Sequence, residues 1–299
     1  MSSSIVLAGI RIYPLKGAGG MELEEGVVDD FGIRGDRRWM LVEPDGGFIS
    51  QRIHPRLALI RVEAVEGEEA GPGRFQLRAP GMEAFVLPQG GPEDPLMDIR
   101  LHQDRLQGRL PRGGGEWFSN FLGVPCHLVF IPPGVLRPVD PRFAPGHRTG
   151  FADGYPVLLA SEASLAELNR HLPEPMGMNR FRPNLIVRGG AAWEEDEWRS
   201  LHVGEARLSL VKPCARCTVT TVDQETGVKG VEPLATMARV RGWEGKTWFG
   251  QNGVFHKPGR FRVGSVVHIV ERGDPRPPIP HLPSPAGGRE EETNPPFSR

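Results

Sequence analysis

Lys212-Pro213-Cys214-Ala215-Arg216-Cys217-Thr218-Val219-Thr220-Thr221-Val222-Asp223 sets two thiols and an arginine against a β-branched run. How that run is read decides the fold. A helix opening after Cys217 would make a thioredoxin-like α/β protein, whereas Thr and Val favour strands. The run therefore predicts a strand over 218–222, with the thiols at its start and a β-built protein around it. A thiolate is the form that binds metal or attacks, and nearby positive charge favours it. Lys212 and Arg216 supply that charge within the segment.

Three plain readings compete for the cysteines. A zinc site needs a second Cys or His pair at ligand spacing, and the remaining cysteine, Cys126, has no such partner beside it. A redox dithiol would want a helix where the sequence favours a strand. Buried, inert cysteines stay open, because free Cys is among the most buried residue types.

Working outward, 299 residues give room for one large or two ordinary domains, and two are expected. The 36 basic and 37 acidic residues leave a formal net charge of −1, so no global field draws the chain to nucleic acid or an anionic membrane. Three cysteines, an odd number, argue against a disulfide framework and fit a reducing compartment. Met1-Ser2-Ser3-Ser4 and the short run Ile5 to Ile10 lack the basic start and apolar length of a signal peptide, and no stretch approaches the ~20 apolar residues of a spanning helix. The expectation is a soluble cytoplasmic protein.

The 39 glycines and 30 prolines, with aromatics at only 7%, predict many turns between short strands and a β-rich α+β fold. Strands are predicted over Ile5 to Pro14, Glu22 to Asp29, Arg38 to Glu43, Phe48 to Ser50, Leu57 to Val62, Arg74 to Arg78 and Phe85 to Leu87. Pro44-Asp45-Gly46-Gly47 is a hairpin signal. Trp117, Phe118, Phe121 and Leu122 share a helical spacing over Glu116 to Leu122, a core stripe that closes this unit. Ile131-Pro132-Pro133-Gly134 to Pro141 leads into a second unit. There a helix starts near Ser161 or Ser164, where Ser164-Leu165-Ala166-Glu167 has a capping-box pattern. Strands follow over Pro183 to Val187, Ala206 to Val211 and Phe261 to Val270, and a short helix starts at Pro233. Residues 272–299 hold eight prolines and an acidic Glu290-Glu291-Glu292 run, and read as a disordered tail. The division is thus 1–125, 126–271 and 272–299.

Basic or amide side chains flank glycine or proline in four stretches: Tyr13-Pro14-Leu15-Lys16-Gly17, Gly35-Asp36-Arg37-Arg38-Trp39, Asn179-Arg180-Phe181-Arg182-Pro183-Asn184 and Phe249-Gly250-Gln251-Asn252. Arg offers a planar fork matched to phosphate and Lys a point charge, so such residues at strand ends can clamp a phosphorylated cofactor. Singly, each is an ordinary surface charge.

Together with Gln51-Arg52, Pro55-Arg56-Leu57, Phe151-Ala152-Asp153, Ser161-Glu162-Ala163-Ser164-Leu165 and Lys212-Pro213-Cys214-Ala215-Arg216-Cys217, these stretches resemble, in order, the MOSC-domain proteins: the molybdenum cofactor sulfurase C-terminal family, preceded by an N-terminal MOSC β-barrel domain. The mitochondrial amidoxime reducing component and YcbX-type proteins belong to this group. The resemblance implies an N-terminal β-barrel-like domain followed by a MOSC β-barrel domain with a few short helices. It implies Mo-molybdopterin as cofactor, in the plain form, and an enzyme that reduces small N-hydroxylated compounds. Cys217 matches the metal ligand and catalytic position. Lys16, Arg37, Asp153, Arg182, Asn184 and Arg216 match cofactor-binding positions, with Cys214 a structural or modulatory neighbour. Gly17 stands where close relatives often carry serine. The chain lacks the four-cysteine iron–sulfur domain of many YcbX-type proteins, so electrons are expected from a separate ferredoxin-, flavodoxin- or cytochrome-type protein. Two other readings stay beside the enzyme: a sulfur or molybdenum-cofactor carrier without turnover, and a β-rich binding module with inert cysteines.

Overall fold

A computed structural model describes residues 4–65 and 74–279. It is β-rich α+β, as the turn-laden composition predicts, with three α-helices of seven or eight residues. The main sheet has nine strands, and eight of them form one path: Val267–Arg272, Trp198–Val203, Ala206–Ala215, Lys246–Phe255, Val157–Ser161, Leu185–Arg188, Val6–Ile12 and Met21–Leu23. All neighbours on this path are antiparallel except Val157–Ser161 and Leu185–Arg188. The ladder is not a continuous ring. Its ends meet at a single antiparallel bridge between Val6 and Val266, with the Leu7 amide donating to the Ser265 carbonyl at 2.9 Å. Leu7, Ile10, Leu159, Leu185, Leu201 and Leu208 point into the enclosed core and are at most 1% exposed.

The first strand of the chain thus lies in a sheet made mostly of residues beyond 150. Smaller sheets complete the N-terminal half: Arg61–Ala64, Phe75–Arg78 and Phe85–Val86 form one, and Trp39–Val42, His127–Phe130, Asp104–Arg109 and Leu96–Leu101 another. The Pro44–Gly47 hairpin forms as predicted. The Glu43 amide donates to the Gly47 carbonyl at 2.7 Å, and Gly46 takes φ +86°, where a Cβ would meet the Asp98 carbonyl. The helix Gly115–Leu122 buries Phe118 and Phe121 and ends on Gly123 in the left-handed region. Glu25–Asp29 pairs with Arg260–Arg262, another link between the two ends of the chain.

Several expectations are corrected. Thr218–Thr221 is a 3₁₀ turn rather than a strand, because its hydroxyls serve the local backbone: Thr220 Oγ1 donates to the Cys217 carbonyl at 2.9 Å and Thr221 Oγ1 to that of Thr218 at 2.8 Å. The strand instead runs from Ala206 to Ala215, so it contains Cys214 and ends before Cys217. The segment Leu57 to Val62 divides into a 3₁₀ turn, Pro55–Leu59, and a strand from Arg61. The helix Glu162–Asn169 is capped by Ser161, whose Oγ accepts from the Ala163 amide at 3.2 Å. Ser164 is buried and donates to Glu195, so it caps nothing. The helix near Pro233 runs Leu234–Val240, with Pro233 as its N-cap residue. The start of the proline-rich segment is tied down, with the Gly273 amide donating to the Glu197 carbonyl at 2.9 Å and that of Arg276 to Asp196 at 3.0 Å. Residues 280–299, and Met1 to Ser3, lie outside the described residues. Among the described residues no helix is long and apolar enough to cross a membrane.

Candidate active site

A cavity of about 330 Å³ opens where the two halves of the chain meet. Seven Lys and Arg side chains line it (Lys16, Arg37, Arg52, Arg182, Lys212, Arg216 and Lys246) against one carboxylate, Asp153. In a chain of net charge −1, this is a strong local excess of positive charge. Cys214, Cys217, Asn184 and His102 also line it. Lys16, Arg37, Asp153, Arg182, Asn184, Arg216 and Cys217 all line this one cavity.

Two of the cavity's arginines, Arg37 and Arg182, rest on Tyr13 behind the wall. The two guanidinium groups lie over its ring, Arg37 at 4.7 Å and Arg182 at 4.2 Å from the centroid, and its hydroxyl donates to the Pro183 carbonyl at 3.1 Å. Arg37 donates to Asp36 at 2.5 Å and to Asn184 Oδ1 at 3.2 Å. Asn184 Oδ1 also accepts from the Leu158 amide at 3.2 Å, while its Nδ2 donates to the Arg11 carbonyl at 3.0 Å. Arg182 has no carboxylate partner among the described residues; Gln224 Oε1 accepts from it at 3.2 Å. Burial pushes the Arg182 guanidinium down to about 10. Such a cation gains from an incoming anion.

Lys16 and Asp153 form an ion pair within the cavity, and His102 Nε2 lies 3.2 Å from the same Asp153 oxygen. Burial lowers the Lys16 ammonium below its ordinary value, with Asp153 opposing the shift. The Asp153 side chain is 68% exposed, and the Lys16 charge and the His102 hydrogen bond hold its carboxyl well below the usual range. Arg137, almost fully buried, fixes the loop carrying Asp153 by donating to the carbonyls of Gly150, at 2.7 Å, and Ala152. Among the described residues five non-glycines have positive φ, and three of them, Arg37, His102 and Arg182, line this cavity. Backbone strain of this kind clusters at functional sites.

Each thiol has its own arginine. Arg216 Nη1 approaches Cys214 Sγ at 3.0 Å and Nη2 donates to the Phe181 carbonyl at 2.7 Å. Cys217 Sγ is instead met by Arg52 Nη2, at 3.5 Å, from the N-terminal half. Arg216, the neighbour of Cys217 in sequence, therefore serves the other sulfur. Among the described residues no group of three His, Cys, Asp or Glu side chains is placed to hold a metal ion. A metal here would need most of its ligands from outside these side chains.

Two cavity residues had no site role in the sequence reading: Arg52 entered only within the Gln51-Arg52 stretch, and His102 not at all. Their contacts to Cys217 and Asp153 span 165 and 51 residues of chain, so no local pattern reports the partners. The signal for Arg52 was the acid-free run Gln51 to Leu59. Conversely, two cradle candidates serve the scaffold. Gln251 donates to Asp196 at 2.7 Å, and Arg180 pairs with Asp223 at 2.9 Å. Gly17 takes φ +88°, a conformation serine adopts only with strain, and its carbonyl accepts from Gln51 at 2.6 Å.

Residues 4–125 match the MOSC N-terminal beta barrel domain and residues 146–268 the MOSC domain. The chain belongs to the MOSC-domain family with this N-terminal domain. It is 32% identical, over 285 aligned residues, to mitochondrial amidoxime-reducing component 1 of Mus musculus and of Homo sapiens, covering 88% of this chain and 82% of each relative. It is 33% identical over 283 residues to mitochondrial amidoxime reducing component 2 of Rattus norvegicus, covering 87% of this chain and 81% of that relative.

Proposed function

We propose that this protein holds the plain molybdopterin form of the molybdenum cofactor and reduces N-hydroxylated compounds, as the names of its amidoxime-reducing relatives suggest. One observation carries the reading: the cavity sets seven cationic side chains against one carboxylate and has a half-buried thiol, Cys217, in its wall. The residues fit such a group. A phosphorylated pterin is anionic, a thiolate is a suitable soft ligand, and no second protein ligand set is needed. Buried Arg216 Nε has no hydrogen-bond partner among the described residues, which leaves a donor at the cavity wall.

In this reading Cys217 is the metal ligand. Lys16, Arg37 and Arg182 neutralise the phosphate and pterin, and Asn184 holds the Arg37 fork in place. Asp153, kept ionised by Lys16, offers an acceptor to pterin N–H groups. Arg216 shapes the wall through Cys214 and Phe181 rather than reaching Cys217. When bound, the cofactor supplies two-electron removal of oxygen from an N–OH group; the chain binds, orients and charge-balances it. Electrons come from a separate ferredoxin-, flavodoxin- or cytochrome-type protein. The three free cysteines support a reducing compartment such as the cytoplasm.

The test is molybdenum per chain and turnover of an amidoxime with a chemical reductant, in wild type and Cys217→Ala, purified from a host that makes the cofactor. Near-stoichiometric metal and turnover in the wild type, both lost in Cys217→Ala, are expected. A wild type without molybdenum, or a variant with undiminished turnover, overturns the reading.

A further inference from the structure

We infer that Arg52 is a positioning residue for the metal-binding thiolate: the N-terminal half reaches over the cavity to orient and polarise the Cys217 sulfur. This rests on Cys217 being the metal ligand. The contact is direct, Arg52 Nη2 to Cys217 Sγ at 3.5 Å, a distance suited to a hydrogen bond onto sulfur. No carboxylate claims the Arg52 guanidinium among the described residues, so the sulfur is the acceptor that holds it.

The segment carrying Arg52 is clamped from three sides. Gln51, buried to 1% exposure, donates to the Gly17 carbonyl at 2.6 Å and exchanges hydrogen bonds with Gln224 at 3.2 and 3.3 Å. The Arg52 carbonyl accepts from Lys229 Nζ at 2.7 Å. Gly17 adjoins the cofactor cradle, and Gln224 and Lys229 belong to the loop that follows Cys217. Gln51 and Arg52 therefore form a strap joining the cradle to the thiol segment, with the guanidinium as its working end.

Hydrogen bonds to a metal-binding sulfur withdraw electron density from it and, with a full positive charge behind them, favour the more reduced state of the centre. Arg52 thus raises the reduction potential of a centre bound to Cys217 and slows loss of the metal. Arg216 cannot substitute, because its fork is occupied by Cys214 and Phe181.

The experiment compares molybdenum-loaded wild type, Arg52→Met, Arg52→Lys and Lys229→Met. The readouts are midpoint potential by redox titration and the rate of molybdenum loss to a chelator. Arg52→Met should shift the potential negative and speed metal loss several-fold. Arg52→Lys should recover part of both, and Lys229→Met, which only loosens the strap, should shift the potential less and in the same direction. Where Arg52→Met fails to load, loading of Arg52→Lys at a lowered potential carries the same conclusion. A loaded Arg52→Met with wild-type potential and metal retention overturns the role of Arg52 and leaves the cofactor reading intact. A wild type that binds no molybdenum overturns the cofactor reading itself.

Discussion

The protein buries charge in two places and settles it in opposite ways. Beside the strand Lys246–Phe255, Asp196 faces Arg241 at 2.6 Å, both side chains under 5% exposed, and Gln251 covers the second Asp196 oxygen. Arg241 also stacks on Trp193 at 4.1 Å. There one guanidinium answers one carboxylate. In the cavity, by contrast, Arg182 and Arg52 have no carboxylate partner among the described residues, and cations outnumber anions seven to one in the lining. A closed account marks scaffold, whereas an open one marks a place where charge is to arrive from outside.

The sharpest way to break the comparison is to remove a cation from each region. Arg241→Met strands Asp196 without its counter-charge and should lower the unfolding free energy by about 3–5 kcal/mol, read from urea titration. Glu195 extends the scaffold cluster. It is fully buried, Ser164 donates to one oxygen at 2.7 Å, and the other has no partner among the described residues. Burial, reinforced by Asp196, pushes its carboxyl up to about 7 from an ordinary 4.5. A raised folded-state value gives stability that is full below about pH 4.5 and is lost as pH rises through about 7. Glu195→Gln should therefore gain on wild type as pH increases across that window, by less than the loss in Arg241→Met. Smallest in stability is Arg182→Met. Losing the stack on Tyr13 is offset by relief of repulsion from Arg37, so unfolding should change by less than about 1 kcal/mol. Its effect belongs to the ligand, as a several-fold fall in molybdenum per chain.

What could be read from the sequence follows how locally each feature is encoded. The Pro44–Gly47 hairpin and the aromatic helix ending at Gly123 depend on a few adjacent residues, and both form where predicted. The strands Leu96–Leu101 and Asp104–Arg109 escaped because their turn carries no Gly, Pro, Asn or Asp between them; His102 itself takes φ +57°. That same turn aims His102 at Asp153. Thr218 to Val222 misled because β-branched propensity is a statement about side-chain packing, and here the hydroxyls bonded to their own backbone first. Lys16, Arg37, Asp153, Arg182, Asn184, Arg216 and Cys217, spread along the chain, line one cavity. Only the coordinates separate residues that face the cavity from Gln251 and Arg180, which look alike in sequence and face the scaffold.

The pairing of Val6–Ile12 with Leu185–Arg188 has a consequence for the order of events during synthesis. Val6–Ile12 can pair at once with Met21–Leu23 on one edge, but its other edge must wait for a partner made some way past the middle of the chain. The cavity waits longer still, since its walls draw on residues from Lys16 to Asn252. A growing chain therefore displays the early half of the cradle with no thiol behind it. Under the proposed function, cofactor insertion is then an event in the life of the finished polypeptide, timed by completion of the sheet rather than by appearance of the first basic residues.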